Sequence, residues 1–351
     1  MRNSLLLNIK FLVRDLININ HRMLPNLKKI KECNRIGKQI VYLLDIPTYS
    51  NLGDQAIGYA ERKFFDNSFP QAEVIEVEGY MVKYYLGFIR RHVKKEDLLV
   101  HIGGGNFGDL YPAIEDNRIK LLSEIKNHRV ILFPQTIYYT DTERGQQGLK
   151  KMQAAIANHG DVIIIAREKI SFEFARETFR ANVILNPDIV LYLKKYSNFK
   201  RDGVLLCLRD DEEKKADYFE TITSTISKHG EKYIITDTIS NQAVHIENRE
   251  KILDQKWHEF QGSKVVITDR LHGMIFSFIT GTPCIVLENK NFKIKSFYDT
   301  WLSNVGFIRL LRDISELDYY LEYVYKYDSE ECRLNCFDSY FERLAAIIGS
   351  K

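Results

Sequence analysis

Five cysteines in 351 residues, an odd and scattered set, do not make a disulfide framework. Cys332 and Cys336 lie one helical turn apart, but no Cys or His stands near them at metal-ligand spacing. They read as reduced thiols of a cytoplasmic protein. No HExxH or CxxC pattern occurs, so a metal site has no support in the sequence. The GxGxxG spacing of a dinucleotide fold and the Gly-Lys-Ser/Thr of a P-loop are missing too, so neither NAD nor ATP is indicated. There is no internal repeat of short fixed period and no low-complexity segment. Long apolar runs are also lacking. The longest uncharged stretch of the N-terminal arm, Asn3–Ile9, is far too short to span a bilayer. No small-residue cleavage site follows a clean apolar core, which argues against a signal peptide.

A marked excess of one charge sign is confined to one end. The net charge is +3, yet residues 1–40 hold nine lysines and arginines against only Asp15 and Glu32, while the remainder holds 41 against 45 acidic residues. The body is therefore nearly neutral and lacks the basic stripe of a nucleic-acid binder. The arm, residues 1–37, carries Leu5, Leu6, Ile9, Leu12, Val13, Leu16 and Ile17 at helical spacing, interrupted by Lys10, Arg14 and Arg22. Such a basic amphipathic helix can lie on an anionic membrane surface through residues 1–30. The alternative is a helix packed on the body or on a second copy of it.

What the chain does contain is an ordinary globular balance, 45% apolar, 28% charged and 12% aromatic, at a length that favours two domains. Strand-like runs recur at Ile40–Leu44, Val74–Val77, Leu98–Ile102, Val130–Phe133, Val162–Ile165 and Val183–Leu185. They are apolar on both faces, as buried parallel strands are. Helical stretches at Gln55–Phe65, Glu115–Lys126, Gly148–Asn158 and Ser171–Arg180 alternate with them. This predicts an N-terminal α/β domain over 38–193. After a linker at Lys194–Asp202 the alternation restarts, with strands at Val204–Leu208, Tyr233–Thr236, Val265–Thr268 and Cys284–Leu287. Helices near Glu212–Lys228, Asn248–Gln261 and His272–Thr280 complete a second, smaller domain over 203–313. The tail, 314–351, is helical in pattern and could return to the first domain. Two doubly wound, Rossmann-like domains in series place their strand ends on either side of a cleft.

Three turns of the first domain and one of the second hold residues suited to chemistry. The first strand opens into PTYSNLGDQ, where Asn51 and Asp54 can meet hydroxyl groups and Asp54 can accept a proton; capping of the following helix is the structural alternative for Asp54. The third strand ends in HIGGGNFGD, and three successive glycines imply a bare backbone surface. A phosphate or sugar against Gly103–Gly105, with Asn106 donating, fits it, and so does close packing of a crossover helix. Arg167 follows the fifth strand. In the second domain, Val265–Thr268 ends in Asp269-Arg270-Leu271-His272-Gly273 before an apolar helix, where free N–H groups face an anion. Two arginines at strand ends suit a small polyanion, because guanidinium offers paired donors to carboxylate and phosphate.

Taken as an ordered set, these pieces resemble the polysaccharide pyruvyl transferase family. The matching motifs are N-x-G-D-x-A-I at Asn51–Ile57, G-G-G-N at Gly103–Asn106, an R-[D/E]-x-x-S-like turn at Arg167–Ser171, P-D at Pro187-Asp188, R-x-H-G at Arg270–Gly273 and G-x-P at Gly281–Pro283. Glu168 stands where the family commonly has Asp, and the arm lies outside the resemblance. The resemblance implies a glycosyltransferase-B-like pair of domains and phosphoenolpyruvate as donor. It also implies a pyruvate ketal formed on a sugar of a cell-surface polysaccharide or exopolysaccharide, or on its lipid-linked precursor. On this reading Arg167 and Arg270, with the N–H groups around Leu271 and Gly273, hold the donor. His272, titrating near neutrality, is the general acid. Asn51, Asp54, Gly104, Gly105 and Asn106 meet the acceptor, with Asp54 as a candidate base. No metal or organic cofactor is required. Two rival readings remain. One is a nucleotide-sugar glycosyltransferase of the same architecture, with a diphosphate at Arg270 and ribose at Glu288. The other is a non-catalytic glycan-assembly subunit.

Overall fold

The structure, a computed structural model, describes residues 23–209, 218–290, 293–328 and 330–350. Expectations for residues 1–22 and for the start of the Glu212–Lys228 helix lie outside the described residues. A helix over 23–36 (α1) leads to β1 (Ile40–Ile46), all seven of whose residues are buried. Then follow α2 (Leu52–Ser68), β2 (Glu73–Glu78), α3 (Val82–His92), β3 (Leu98–His101) and β4 (Gly104–Phe107). The first domain continues with α4 (Pro112–Glu124), β5 (Val130–Ile137), α5 (Glu143–His159), β6 (Val162–Ala166), α6 (Lys169–Thr178) and β7 (Asn182–Leu185). The second contains β8 (Val204–Cys207), α7 (Phe219–Lys228), β9 (Tyr233–Thr236), α8 (Arg249–Gln261), β10 (Val265–Thr268) and α9 (Leu271–Thr280). It continues with β11 (Cys284–Leu287), α10 (Lys293–Phe297), β12 (Ile308–Leu311) and α11 (Leu317–Val324), and the described chain closes with α12 (Asp338–Gly349).

Two sheets result, in the orders β2-β1-β3-β5-β6-β7, with β4 beside β5, and β12-β11-β10-β8-β9. Every ladder is parallel. A parallel sheet must be covered on both faces, which is why its strands read as unbroken apolar runs. Each sheet winds in both directions from one strand, β1 in the first and β8 in the second. The strand order therefore reverses between β1 and β3 and again between β8 and β10, and such reversal points open the crevice in which α/β folds bind ligands.

Two strands escaped the sequence reading. The glycine segment, expected as a loop, forms β4 over Gly104–Phe107, and β12 adds a fifth strand to the second sheet. The domains are joined by a continuous core. Tyr59 of α2 meets Trp257 of α8 with ring centroids 5.8 Å apart, and the buried cluster around them runs from Phe64 to Phe276. The helical tail divides. Leu317, Leu321 and Val324 of α11 join the core of the second sheet. Phe341 of α12 instead packs on Tyr192, with centroids 5.4 Å apart, and Arg129 Nη1 donates to the Ser350 carbonyl at 2.6 Å. No helix among the described residues is long and apolar enough to cross a membrane.

Candidate active site

β1 ends in a strained irregularity, with a register shift between Leu44 and Ile46. Asp45 has φ 73°, and its carboxylate is gripped by His101 Nε2 at 3.1 Å and Asn117 Nδ2 at 3.2 Å. The chain then runs to Asn51, whose Oδ1 accepts from Gly53 N at 2.9 Å and so caps α2. Asn51, not Asp54, is the cap. Asp54 lies in the first turn with its side chain left for other work. The loop is stitched to the second domain: Leu52 N donates to Thr238 O at 2.7 Å and Ser240 N to Ser50 O at 2.8 Å.

The glycine run serves the same place. Gly104 adopts φ 118°, which a side chain would resist. A Cβ on Gly105 would sit 3.2 Å from Arg167 Nη2 and 3.6 Å from Lys293 Nζ. The bare backbone there makes room for two cations. Arg167, at the end of β6, is 2% exposed. Its Nε donates to Thr136 Oγ1 at 2.8 Å, its Nη1 donates to Asp188 Oδ2 at 2.8 Å, and its carbonyl accepts from Trp301 Nε1 at 2.7 Å.

From the second sheet, Arg270 caps α9 in an extended conformation. Its Nη2 donates to Asp237 Oδ2 at 2.8 Å, and its backbone N–H donates to Thr268 Oγ1 at 3.1 Å. Asp269 Oδ1 accepts from Arg209 N at 2.8 Å, tying the end of β10 to the end of β8. His272 projects from the first turn of α9 against Gly53, where a Cβ would fall 2.2 Å from its Nδ1. Its Nε2 is buried, has no hydrogen-bond partner among the described residues, and lies 3.8 Å from Asp188 Oδ2.

These groups enclose a cavity of about 130 Å³. Of the residues expected from sequence, Asn51, Asp54, Gly105, Asn106, Arg167, Arg270, Leu271 and His272 line it. Gly104 and Gly273 are not among the lining residues. Gly273 packs on the Thr268 hydroxyl, and Gly104 supplies the backbone turn. Asn106 is also less available than expected, because its Oδ1 accepts from Arg118 Nη2 at 2.8 Å and its Nδ2 donates to Gly103 O at 3.3 Å. The sequence reading missed Tyr49, Tyr111, Arg209, Thr238, Asn289 and Lys293. Arg209 was findable, since it follows a strand as Arg167 and Arg270 do. Lys293 carried no signal.

Burial shapes the proton chemistry. Desolvation pushes the Asp54 carboxyl up to about 6, against the pull of Arg167, of a hydrogen bond from Tyr49 and of Lys293, with Asp188 adding to the rise. Desolvation also pushes His272 down to about 4, with Asp188 opposing and Arg167 reinforcing the drop. The expectation of a histidine titrating near neutrality is corrected: the imidazole is neutral at pH 7 in the unliganded protein. Among the described residues no group of three or more His, Cys, Asp or Glu side chains is arranged to hold a metal.

The profile of the family described as polysaccharide pyruvyl transferase matches residues 51–291, the span that holds every cavity residue but Tyr49 and Lys293. The chain belongs to the polysaccharide pyruvyl transferase family. It is 40% identical over 289 residues to General stress protein 30 of Bacillus subtilis (strain 168), covering 80% of this chain and 84% of that protein. It is 29% identical over 291 residues to Pyruvyl transferase 1 of Schizosaccharomyces pombe, covering 76% of this chain and 70% of that one. An uncharacterised Klebsiella pneumoniae protein of known structure superposes with a TM-score of 0.53 at 20% identity, over 83% of this chain and 98% of that chain, which speaks for the fold alone. As a polysaccharide pyruvyl transferase, the protein carries cavity-lining cations on both domains and the His272 imidazole at the seam.

Proposed function

We propose that this pyruvyl transferase takes its pyruvyl group from phosphoenolpyruvate and delivers it to two hydroxyls of one sugar in a cell-surface glycan or its lipid-linked precursor. The observation that carries the reading is the convergence of Arg167, Arg209, Arg270 and Lys293 on a small cavity that is also lined by the imidazole of His272 and the carboxyl of Asp54. Phosphoenolpyruvate presents a carboxylate and a phosphate, and paired guanidinium donors suit both. The fit is to a small polyanion, and the hydroxyl-bearing partner is left the side of Tyr49, Asn51 and Asp54.

The chemistry follows in balanced steps. A proton goes to C3 of the enol phosphate, and C2 acquires oxocarbenium character. The first sugar hydroxyl attacks C2 and gives its proton to Asp54. Phosphate then leaves, and the second hydroxyl closes the ketal, its proton departing with phosphate. His272 is the general acid for the first step. Because Arg167 helps to hold the free imidazole neutral, an arriving anion that offsets the cations favours the imidazolium, so donor binding charges the acid. Metal and organic cofactors have no part in these steps.

Ligand choice tests the donor. Phosphoenolpyruvate should raise the melting temperature in a dose-dependent way, while UDP and GDP should leave it unchanged. Stabilisation by UDP or GDP without any by phosphoenolpyruvate would favour a nucleotide-sugar glycosyltransferase instead.

A further inference from the structure

We infer that Asp188 is a positioning residue that couples capture of the anionic donor by Arg167 to protonation of His272. The inference rests on the donor reading above. Asp188 follows β7 in Asn186-Pro187-Asp188 and is completely buried. A buried carboxylate is costly unless every oxygen is engaged. Here Oδ1 accepts from Val190 N at 2.9 Å and caps the short turn Ile189–Tyr192, a task a neutral asparagine performs equally well. The charge is directed elsewhere. Oδ2 accepts from Arg167 Nη1 at 2.8 Å and stands 3.8 Å from His272 Nε2.

One oxygen thus faces a guanidinium and an imidazole and is bonded to only the first of them. Arg167 is otherwise held from behind by Thr136, which leaves Nη2 beside Gly105 and turned to the cavity. His272 Nε2 has no partner among the described residues. A shift of about 1 Å would bring it within charge-assisted hydrogen-bond range of Oδ2. The ring is faced by Asp188 from the turn after β7 and by Arg167 from β6. It shares the cavity with Asp54 on α2, with Arg270 on its own turn, and with Arg209 and Lys293. An anion on Nη2 neutralises the cation that disfavours the imidazolium, and Asp188 is the carboxylate in place to receive the charge. A carboxylate behind a catalytic imidazole sets its orientation and basicity in the same way elsewhere.

A simple buried ion pair would look alike in a static view, so the test reads protons. Phosphoenolpyruvate is titrated calorimetrically at pH 7 into the wild type, Asp188→Asn, Asp188→Glu and His272→Ala, each in two buffers of different ionisation heat. The ligand's own phosphate contributes equally throughout. The wild type should take up close to one extra proton relative to His272→Ala. Asp188→Asn keeps the cap but takes the buried counter-charge from Arg167, so it should melt below the wild type. It should still fold and bind no more than about threefold weaker, since an acidic charge near the anion has been removed. Its proton uptake should fall to the His272→Ala value, and Asp188→Glu should recover part of it. Equal uptake in Asp188→Asn and wild type would overturn the inference. So would a folded Asp188→Asn protein that no longer binds phosphoenolpyruvate, which marks a role in holding the site rather than in moving the proton. No binding of phosphoenolpyruvate by the wild type would instead refute the donor reading, and the inference with it.

Discussion

Asp54 and His272 stand at one cavity with their proton affinities displaced in opposite senses by the same cause, loss of water. Asp54 is raised to about 6, above the value near 3.9 of an unfolded carboxyl. Protonation therefore favours folding: the group's contribution is fully present below its unfolded value and is lost as pH rises through about 6. Near pH 7.5 the ionised carboxylate is a burden. Asp54→Asn, which can still accept from Tyr49, should be more stable there by roughly 1–2 kcal/mol. The advantage should shrink as pH falls toward 4, and turnover should drop about 10²–10⁴-fold for want of a base. Thermal melts across pH, read beside a turnover assay, check both halves. Equal melting temperatures at pH 7.5 would remove the burial argument. His272, depressed to about 4, has the reverse sign. Its contribution is full above about 6.5 and is lost as pH falls through the folded value. The two groups partly offset one another in acid.

Helices α2 and α9 meet at a single glycine. At Gly53 the backbone is approached by the His272 ring from the other domain. Alanine is the better helix former by up to about 1 kcal/mol. Its methyl would nonetheless fall 2.2 Å from His272 Nδ1. The methyl would also fall 2.9 Å from the His272 Cβ, so Gly53→Ala must displace the ring and should lose at least about tenfold in turnover per folded molecule, because a misplaced acid loses its reach. Wild-type turnover in that variant would show that the ring's position does not matter. The same pair explains what was legible. Strands β1, β3, β5, β6, β8, β10 and β11 stood out because fully buried parallel strands are unbroken apolar runs, and the less buried edge strands β2, β7 and β9 stood out through their β-branched residues. The ends of β1, β6 and β10 offered Asp54, Arg167 and Arg270 by rule. Contacts between distant segments have no local signature: residue 53 against residue 272, Asp188 between Arg167 and His272, or Lys293 on the five-residue helix α10. The drop of His272 out of the neutral range was unreadable for the same reason, since burial is a property of the assembled fold.

Across the molecule, the two sheets present their reversal points to each other, β1 and β3 against β8 and β10. The interface between them is built to hold that alignment. Residues 50–52 bond to 238–240 across it, and Arg249 Nη2 of α8 donates to Glu76 Oε1 of β2 at 2.8 Å. Neither half alone contains the site: Asp54, Arg167 and Asp188 come from one side, and Arg209, Arg270, His272 and Lys293 from the other. On the proposed reading, the anionic donor and the hydroxyl-bearing acceptor meet across this two-sided cavity. The most direct test is to incubate the wild type and His272→Ala with phosphoenolpyruvate and a panel of free, synthetic and lipid-linked saccharides, scoring phosphate release together with a pyruvyl mass gain on the sugar. The wild type should release phosphate in step with the mass gain, and the folded His272→Ala protein should do so about 10²–10⁴-fold more slowly. Near-normal phosphate release by His272→Ala, or a wild type that leaves phosphoenolpyruvate intact with every acceptor, would contradict a donor site built around that imidazole.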